Sequence, residues 1–331
     1  MKKRILIPLI FIAGISIFYL AGPSPEPLSL SVNVSSAPQW QELPEYLRKR
    51  ESRYSLRPDN EAKIEWYDSI PRRTEYVLLY LHGFSASHRE GYPVHQNVAQ
   101  SIGANLYLTR LSGHGLDTNH QLGSFTAEGV WQDAVNALFQ AQKLGNKVII
   151  LSTSTGGTLA LQLAASFPEK VHALINLSPN IAIADPAAKL LDGPWGLQIA
   201  RMVIGKKRYI NQDENEAYRY WDSLYSVKAL VELQRLLSAT MTEATFSKIQ
   251  CPVLSLYYYR DKEHHDKVID YAKISEAHAH FATPDSLKVV QALAEPGNHV
   301  LASPVKSKNI KVVQEAILHF CKKQLKIELA R

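Results

Sequence analysis

The hydrophobic pattern divides the chain into short continuous apolar runs separated by longer stretches of helical spacing. The runs are Glu75 to Leu81 (EYVLLYL), Asn105 to Leu111, Lys147 to Leu151 (KVIIL), Val171 to Leu177 (VHALINL), Pro252 to Tyr259 (PVLSLYYY) and Leu287 to Leu293. They are rich in β-branched and aromatic residues and do not alternate with polar ones. Such runs predict strands buried on both faces. Between them, Thr126 to Leu144 places Val130, Ala134, Leu138 and Ala141 on one helical face, and Thr155 to Phe167 and Ile310 to Leu325 have the same character. Strands alternating with helices predict a mostly parallel sheet covered by helices on both faces. From about Ala182 to Lys248 no strand-like run occurs. That stretch is helical in flavour and carries Trp195, Tyr209, Tyr218, Tyr220, Trp221 and Tyr225. It is expected to form a cap over the C-terminal edge of the sheet, where open α/β sheets bind ligands.

The N-terminus has a different pattern. Met1-Lys2-Lys3-Arg4 precedes 18 uncharged, mainly apolar residues, Ile5 to Gly22, and a Pro/Ser-rich stretch then runs from Pro23 to Pro38. Eighteen residues just suffice to span a bilayer, and the positive flank predicts a cytoplasmic N-terminus with the rest of the chain translocated. The small-x-small cleavage signal is poor, because Leu20 or Tyr19 would occupy its −3 position. An uncleaved anchor is therefore expected, with a cleaved signal as the alternative. Either reading puts the domain on the extracytoplasmic, periplasmic side. The expected organisation is an anchor over 1–22, a linker and extension over 23–59, core over 60–181, cap over 182–248 and core again over 249–331.

Composition changes this picture little. Of 331 residues, 46% are hydrophobic and 21% charged, which excludes wholesale disorder. The net charge of +6 is spread along the chain without a nucleic-acid motif, so no nucleic-acid partner is expected. Cys251 and Cys321 have no metal spacing, and the sequence leaves their redox state and the oligomeric state open. The absence of P-loop or Rossmann glycines implies no nucleotide cofactor. Glu263-His264-His265-Asp266 has no metal-binding spacing, and no metal is expected.

The candidate chemistry lies in the loops after the strands. Ser152-Thr153-Ser154-Thr155-Gly156-Gly157 follows the KVIIL strand and opens a helix, the context of a nucleophile elbow. Such a sharp turn needs small residues two before and two after the nucleophile. Ser152 and Gly156 stand there, with Ser in place of the usual first Gly. Ser154 is thus the candidate nucleophile. Leu81-His82-Gly83-Phe84-Ser85 ends the first strong strand. The backbone N–H of Phe84 and that of Thr155 are the candidate oxyanion-hole donors. His82, Gly83 and Trp221 are candidate pocket residues. Gly297-Asn298-His299-Val300 follows the last strand, and His299 is the candidate base. Two acids lie between nucleophile and base after the PVLSLYYY strand. Asp266 is preferred and Asp261 is the alternative; the order Ser, Asp, His suits either.

These residues resemble the α/β-hydrolase fold family, in particular its capped serine esterase and monoacylglycerol-lipase-like group. The resemblance runs from about Glu75 to Leu325. It rests on LHGF (Leu81 to Phe84), SGHG (Ser112 to Gly115), STSTGG (Ser152 to Gly157), DKVI (Asp266 to Ile269) and GNHVL (Gly297 to Leu301). Ser152 and the Arg260-to-His265 loop depart from the family pattern. The resemblance implies a Ser154–His299–Asp266 triad and hydrolysis of a carboxylic ester, a monoglyceride or lysolipid among the candidates. Acyl transfer or thioester hydrolysis by the same triad is the alternative, and a catalytically inactive envelope scaffold is a third reading. No catalytic role falls on His114.

Overall fold

The computed structural model describes residues 14, 16–34, 37–210 and 215–330. In chain order the elements are α1 (Leu43–Glu51), β1 (Lys63–Glu65), β2 (Thr74–Leu81), α2 (Val94–Ser101), β3 (Asn105–Leu108), α3 (Ala127–Leu144), β4 (Gly145–Thr153), α4 (Thr155–Ser166), β5 (Ala173–Leu177), α5 (Gly196–Ile204), β6 (Lys207–Tyr209), α6 (Asn215–Tyr220), β7 (Leu224–Ser226), α7 (Val227–Thr240), α8 (Glu243–Phe246), β8 (Val253–Tyr258), α9 (Ala272–His280), β9 (Lys288–Leu293) and α10 (Lys311–Lys323).

Seven strands form one sheet in the order β1-β3-β2-β4-β5-β8-β9. Every pair is parallel except β1 with β3. The six runs read from the sequence are the six parallel strands. The inner strands are covered on both faces, which is why they lack polar alternation, whereas the edge strand β9 leaves Gln291 and Ala292 exposed. Val77, Leu79, Val148 and Ile150 face one layer with α3, α4 and α7. Leu78, Tyr80, Ile149, Leu151 and Ile175 face the other, with α2 and α10. Cys251 packs against the first layer and Cys321 lies in the second, and both are free thiols. The sheet therefore stands between them.

Two expectations change in the insertion. It contains a short antiparallel pair, β6 with β7, where no strand was expected. Its C-terminal third is not cap alone. Leu230, Leu233, Leu236 and Leu237 of α7 are buried in the first core layer. His278 on α9 is 6% exposed, and its Nε2 lies 2.8 Å from Ser255 Oγ.

The Pro/Ser-rich stretch docks as an extended strap. Leu28, Leu30 and Val32, at the two-residue period of extended chain, pack against the core. Trp131 Nε1 donates to the Leu30 carbonyl and Arg235 Nε to that of Glu26. Of the expected membrane segment, residues 5–13 and 15 lie outside the described residues. Among the described residues no helix is long and apolar enough to cross a membrane.

Candidate active site

The turn between β4 and α4 carries Ser154 with φ 53° and ψ −116°. That region is strained for a residue with a side chain, and strain of this kind marks functional positions. The turn holds because its surroundings leave no other path. A Cβ on Gly156 would lie 2.0 Å from the Leu81 carbonyl oxygen, and one on Gly157 would lie 2.7 Å from the Pro179 side chain. Ser154 N–H donates to the Leu177 carbonyl, and the Ser154 carbonyl accepts from Gly157 and Asn180. Ser154 is 6% exposed at the C-terminal edge of the sheet.

Ser152, the departure from the usual glycine, has a partner of its own. It is fully buried, and its hydroxyl donates to Asn176 Oδ1 on β5 at 2.8 Å. A buried hydroxyl needs such an acceptor, and the neighbouring strand supplies it in register with Ser152.

The candidate base and the preferred candidate acid lie together. His299 Nδ1 lies 2.7 Å from Asp266 Oδ2, and the His299 side chain is 12% exposed. Ser178, which follows β5, donates its hydroxyl to the His299 carbonyl. The loops of Ser154 and His299 are thus both fastened to the end of β5. Among the described residues the Ser154 hydroxyl makes no hydrogen bond. Burial opposes the charge on His299, but the Asp266 carboxylate, its hydrogen bond and Glu90 outweigh it and hold the imidazole above its usual range. For Asp266, burial is likewise outweighed by His299 and by the Val268 and Ile269 amides, so its carboxyl titrates below the ordinary value.

The structure separates the two candidate acids. Asp261 is exposed and turned towards its own loop, accepting from the Glu263 and His264 amides and lying 2.8 Å from His264 Nδ1. The unusual loop is a closed excursion. Tyr259 bridges His265, and Asp266 N–H donates to the Tyr258 carbonyl. The chain therefore leaves β8 and returns Asp266 to the strand end.

On the other side of Ser154 stands the loop after β2. Among the described residues no protein acceptor engages the Phe84 or Thr155 amide, so both remain available to an oxyanion. The Gly83–Phe84 peptide is held by its carbonyl, which accepts from Ala86 N–H at 3.3 Å and from His82 Nδ1 at 2.9 Å. Leu111 N–H donates to His82 Nε2, which makes Nδ1 the protonated nitrogen. His82 is fully buried, and burial pushes its pKa down to about 4. Both ring nitrogens are spent on backbone groups, so His82 braces the loop and does not line a pocket. Gly83, another candidate pocket residue, packs directly against Ser154: a Cβ there would sit 3.0 Å from the Ser154 Cβ. Phe84 stacks edge-on against Phe125 and Tyr225, with His114 beneath. Trp221, 5% exposed, sits at the seam between cap and core with Ala86 and Val300.

One residue of the site gives no sequence signal. Glu90, on the turn of 3₁₀ helix His88–Gly91, is 3% exposed, and its Oε2 accepts the Gly83 N–H at 2.7 Å. Burial pushes its pKa up to about 7, against the opposing effects of the Gly83 amide, His299 and Trp221. In sequence it stands among Ser, His and Arg and reads as solvated surface.

Comparison with known proteins agrees with this geometry at the level of fold. A family model described as alpha/beta hydrolase fold matches residues 76–201. Protein PHYLLO, chloroplastic, of Arabidopsis thaliana is 26% identical over 166 residues, 48% of this chain, and the match spans only 10% of that protein. A structure of the metagenome-derived lipolytic enzymes LipS and LipT superposes with a TM-score of 0.63 at 18% identity, covering 81% of this chain and all of that one. Monoglyceride lipase from Saccharomyces cerevisiae gives 0.60 at 12% identity, covering 82% and 92%. Paleococcus ferrophilus monoacylglycerol lipase gives 0.57 at 13%, covering 78% and 96%.

Proposed function

Starting from a chain of the α/β-hydrolase fold, we propose that it is a serine hydrolase of carboxylic esters working through an acyl-enzyme on Ser154. The observation that carries this reading is a strained, buried serine and a histidine–carboxylate pair on loops fastened to the end of one strand, with two unengaged amides at the same sheet edge. Ser154 Oγ attacks the ester carbonyl as His299 Nε2 takes its proton. Asp266 holds Nδ1–H and stabilises the imidazolium. The Phe84 and Thr155 amides receive the oxyanion. His299 then protonates the leaving alcohol, and water, activated by the same imidazole, releases the acid from Ser154.

The substrate is an acyl ester of modest length, a monoglyceride or lysolipid in class. The part-exposed Phe84 ring, backed by Phe125 and Tyr225, supports an apolar acyl group. The apolar Ile5 to Gly22 segment after three basic residues supports membrane attachment, with the catalytic domain on the extracytoplasmic side. The burial of Ser154 favours acyl transfer as a second reading, because transfer needs water kept out.

Fluorophosphonate labelling of the full chain beside Ser154→Ala tests the proposal. Labelling that vanishes only in the variant is the expected result. A folded wild-type chain that takes no label refutes it and moves the chain to the scaffold reading. An added alcohol acceptor that diverts product from acid to ester would identify transfer.

A further inference from the structure

Glu90 is a buried carboxyl that the ester chemistry above does not use, and it lies against the nucleophile. A Cβ on Gly83 would meet the Glu90 carboxylate oxygens at 3.0 and 3.1 Å and the Ser154 Cβ at 3.0 Å. Carboxyl, oxyanion loop and nucleophile thus meet around one glycine. Gly83 is held at both ends: its N–H by Glu90, and its carbonyl by His82 and Ala86. The Gly83 carbonyl and the Phe84 N–H belong to one planar peptide and point in opposite directions. Holding the first therefore aims the second.

The Trp221 indole of the cap also acts on this carboxyl, favouring its charged form. Around that link the cap grips the loop repeatedly. Asp222 N–H donates to the Ser85 carbonyl at 2.6 Å. The Arg89 guanidinium lies 3.7 Å from the Tyr92 ring centre, 5.2 Å from that of Tyr220 and 3.6 Å from the Glu216 carboxylate. Arg57 clamps Asp222 from outside at 2.8 Å. A carboxyl this deeply buried is expensive unless its hydrogen bonds are filled, and here the oxyanion loop supplies one through the Gly83 amide.

The geometry points to Glu90 as a positioning residue: it fixes the oxyanion loop through Gly83 and ties it to the cap through Trp221. The hole is then in register only with the cap docked. This inference rests on the ester-hydrolase reading.

The test is steady-state hydrolysis of p-nitrophenyl butyrate by the full chain, its Glu90→Gln and Trp221→Phe variants and the double variant, with active sites counted by fluorophosphonate. Glu90→Gln keeps an oxygen for the Gly83 amide but presents an NH₂ to the indole; Trp221→Phe removes the indole donor. Each is expected to lower kcat by about 10- to 100-fold, less than the roughly 100- to 1000-fold loss of a whole oxyanion donor because the donor is misaimed and not removed, with KM within about threefold. The double variant should be no slower than the slower single, because both break one link. The acid limb of the pH profile, set by His299, should survive in all three, moved to lower pH where Glu90 is replaced because its carboxylate helps to raise the imidazole. Should Glu90→Gln fail to fold, Trp221→Phe and Glu90→Asp carry the test with the same expectations. A wild-type kcat in either single variant, losses that multiply, or losses confined to KM would overturn the inference. A wild-type chain that neither turns over the ester nor takes the label refutes the hydrolase reading itself, an outcome separate from these.

Discussion

Replacing Asp266 by Asn separates geometry from charge at the acid position. Asp266 Oδ1 accepts the Val268 and Ile269 amides at 2.9 and 3.3 Å, while Oδ2 faces His299 Nδ1 at 2.7 Å. An Asn of the same shape must present its carbonyl oxygen to the two amides, which leaves its NH₂ against Nδ1. Two donors cannot face each other, so the imidazole must move its proton to Nε2. Nε2 is then unable to accept from Ser154. Loss of the correct tautomer is worth about 10⁴ in kcat, or about 5.5 kcal/mol of barrier. The assay is p-nitrophenyl ester hydrolysis against pH, with Asp261→Asn as control. Asp261 is exposed and turned to His264, so its variant should keep kcat within about twofold. The carboxylate also raises the His299 pKa. Activity needs the neutral imidazole, so it rises with pH through the folded His299 pKa, and that acid limb should move to lower pH in Asp266→Asn. An Asp266→Asn enzyme within tenfold of wild type, or equal damage from Asp261→Asn, would refute this account.

Three further outcomes follow from the same contacts. Ser152→Gly should retain kcat, since glycine suits the elbow, but it strands the buried Asn176 amide oxygen; a loss of about 1–3 kcal/mol is expected in urea unfolding. Gly156→Ala pushes a Cβ to 2.0 Å from the Leu81 carbonyl and should lower stability by about 3 kcal/mol, read as a fall in melting temperature with loss of labelling at Ser154. Glu90 titrates at about 7 when folded against an ordinary 4.5, so the folded state keeps its proton where the unfolded state has lost it. Its contribution is fully present below pH 4.5 and is lost as pH rises to about 7. Glu90→Gln should therefore gain on wild type between pH 4.5 and 7, by an order of about 3 kcal/mol in denaturant titrations.

Much of the frame is written in local sequence. Strands covered on both faces must be apolar at every position, so VLLYL and VIIL are legible without a partner in view. The elbow, the histidine loop and Asp266 stand out in the sequence because each lies in the connection that follows a strand, and the fold brings those strand ends to one edge. What escaped has its physical cause in partners distant along the chain. β1 is three residues, Lys-Ile-Glu, with no apolar run, and exists only because β3 offers an edge. Residues 26–32 read as a linker, yet they dock because α3 and α7 present Trp131 to the Leu30 carbonyl and Arg235 to those of Glu26 and Pro27. Ser152 looked like a defect in the elbow until Asn176 on the neighbouring strand supplied its acceptor. Glu90 is the furthest case. Its neighbours in sequence are polar, and a carboxyl prefers water. Only the meeting of the β2 loop with a cap segment some 130 residues later removes that water and gives it Gly83 and Trp221 instead. The order of residues thus determined which groups could do chemistry. Packing between distant segments decided which of them are dry, charged and aimed, because desolvation depends on what closes over a group and not on what precedes it in the chain.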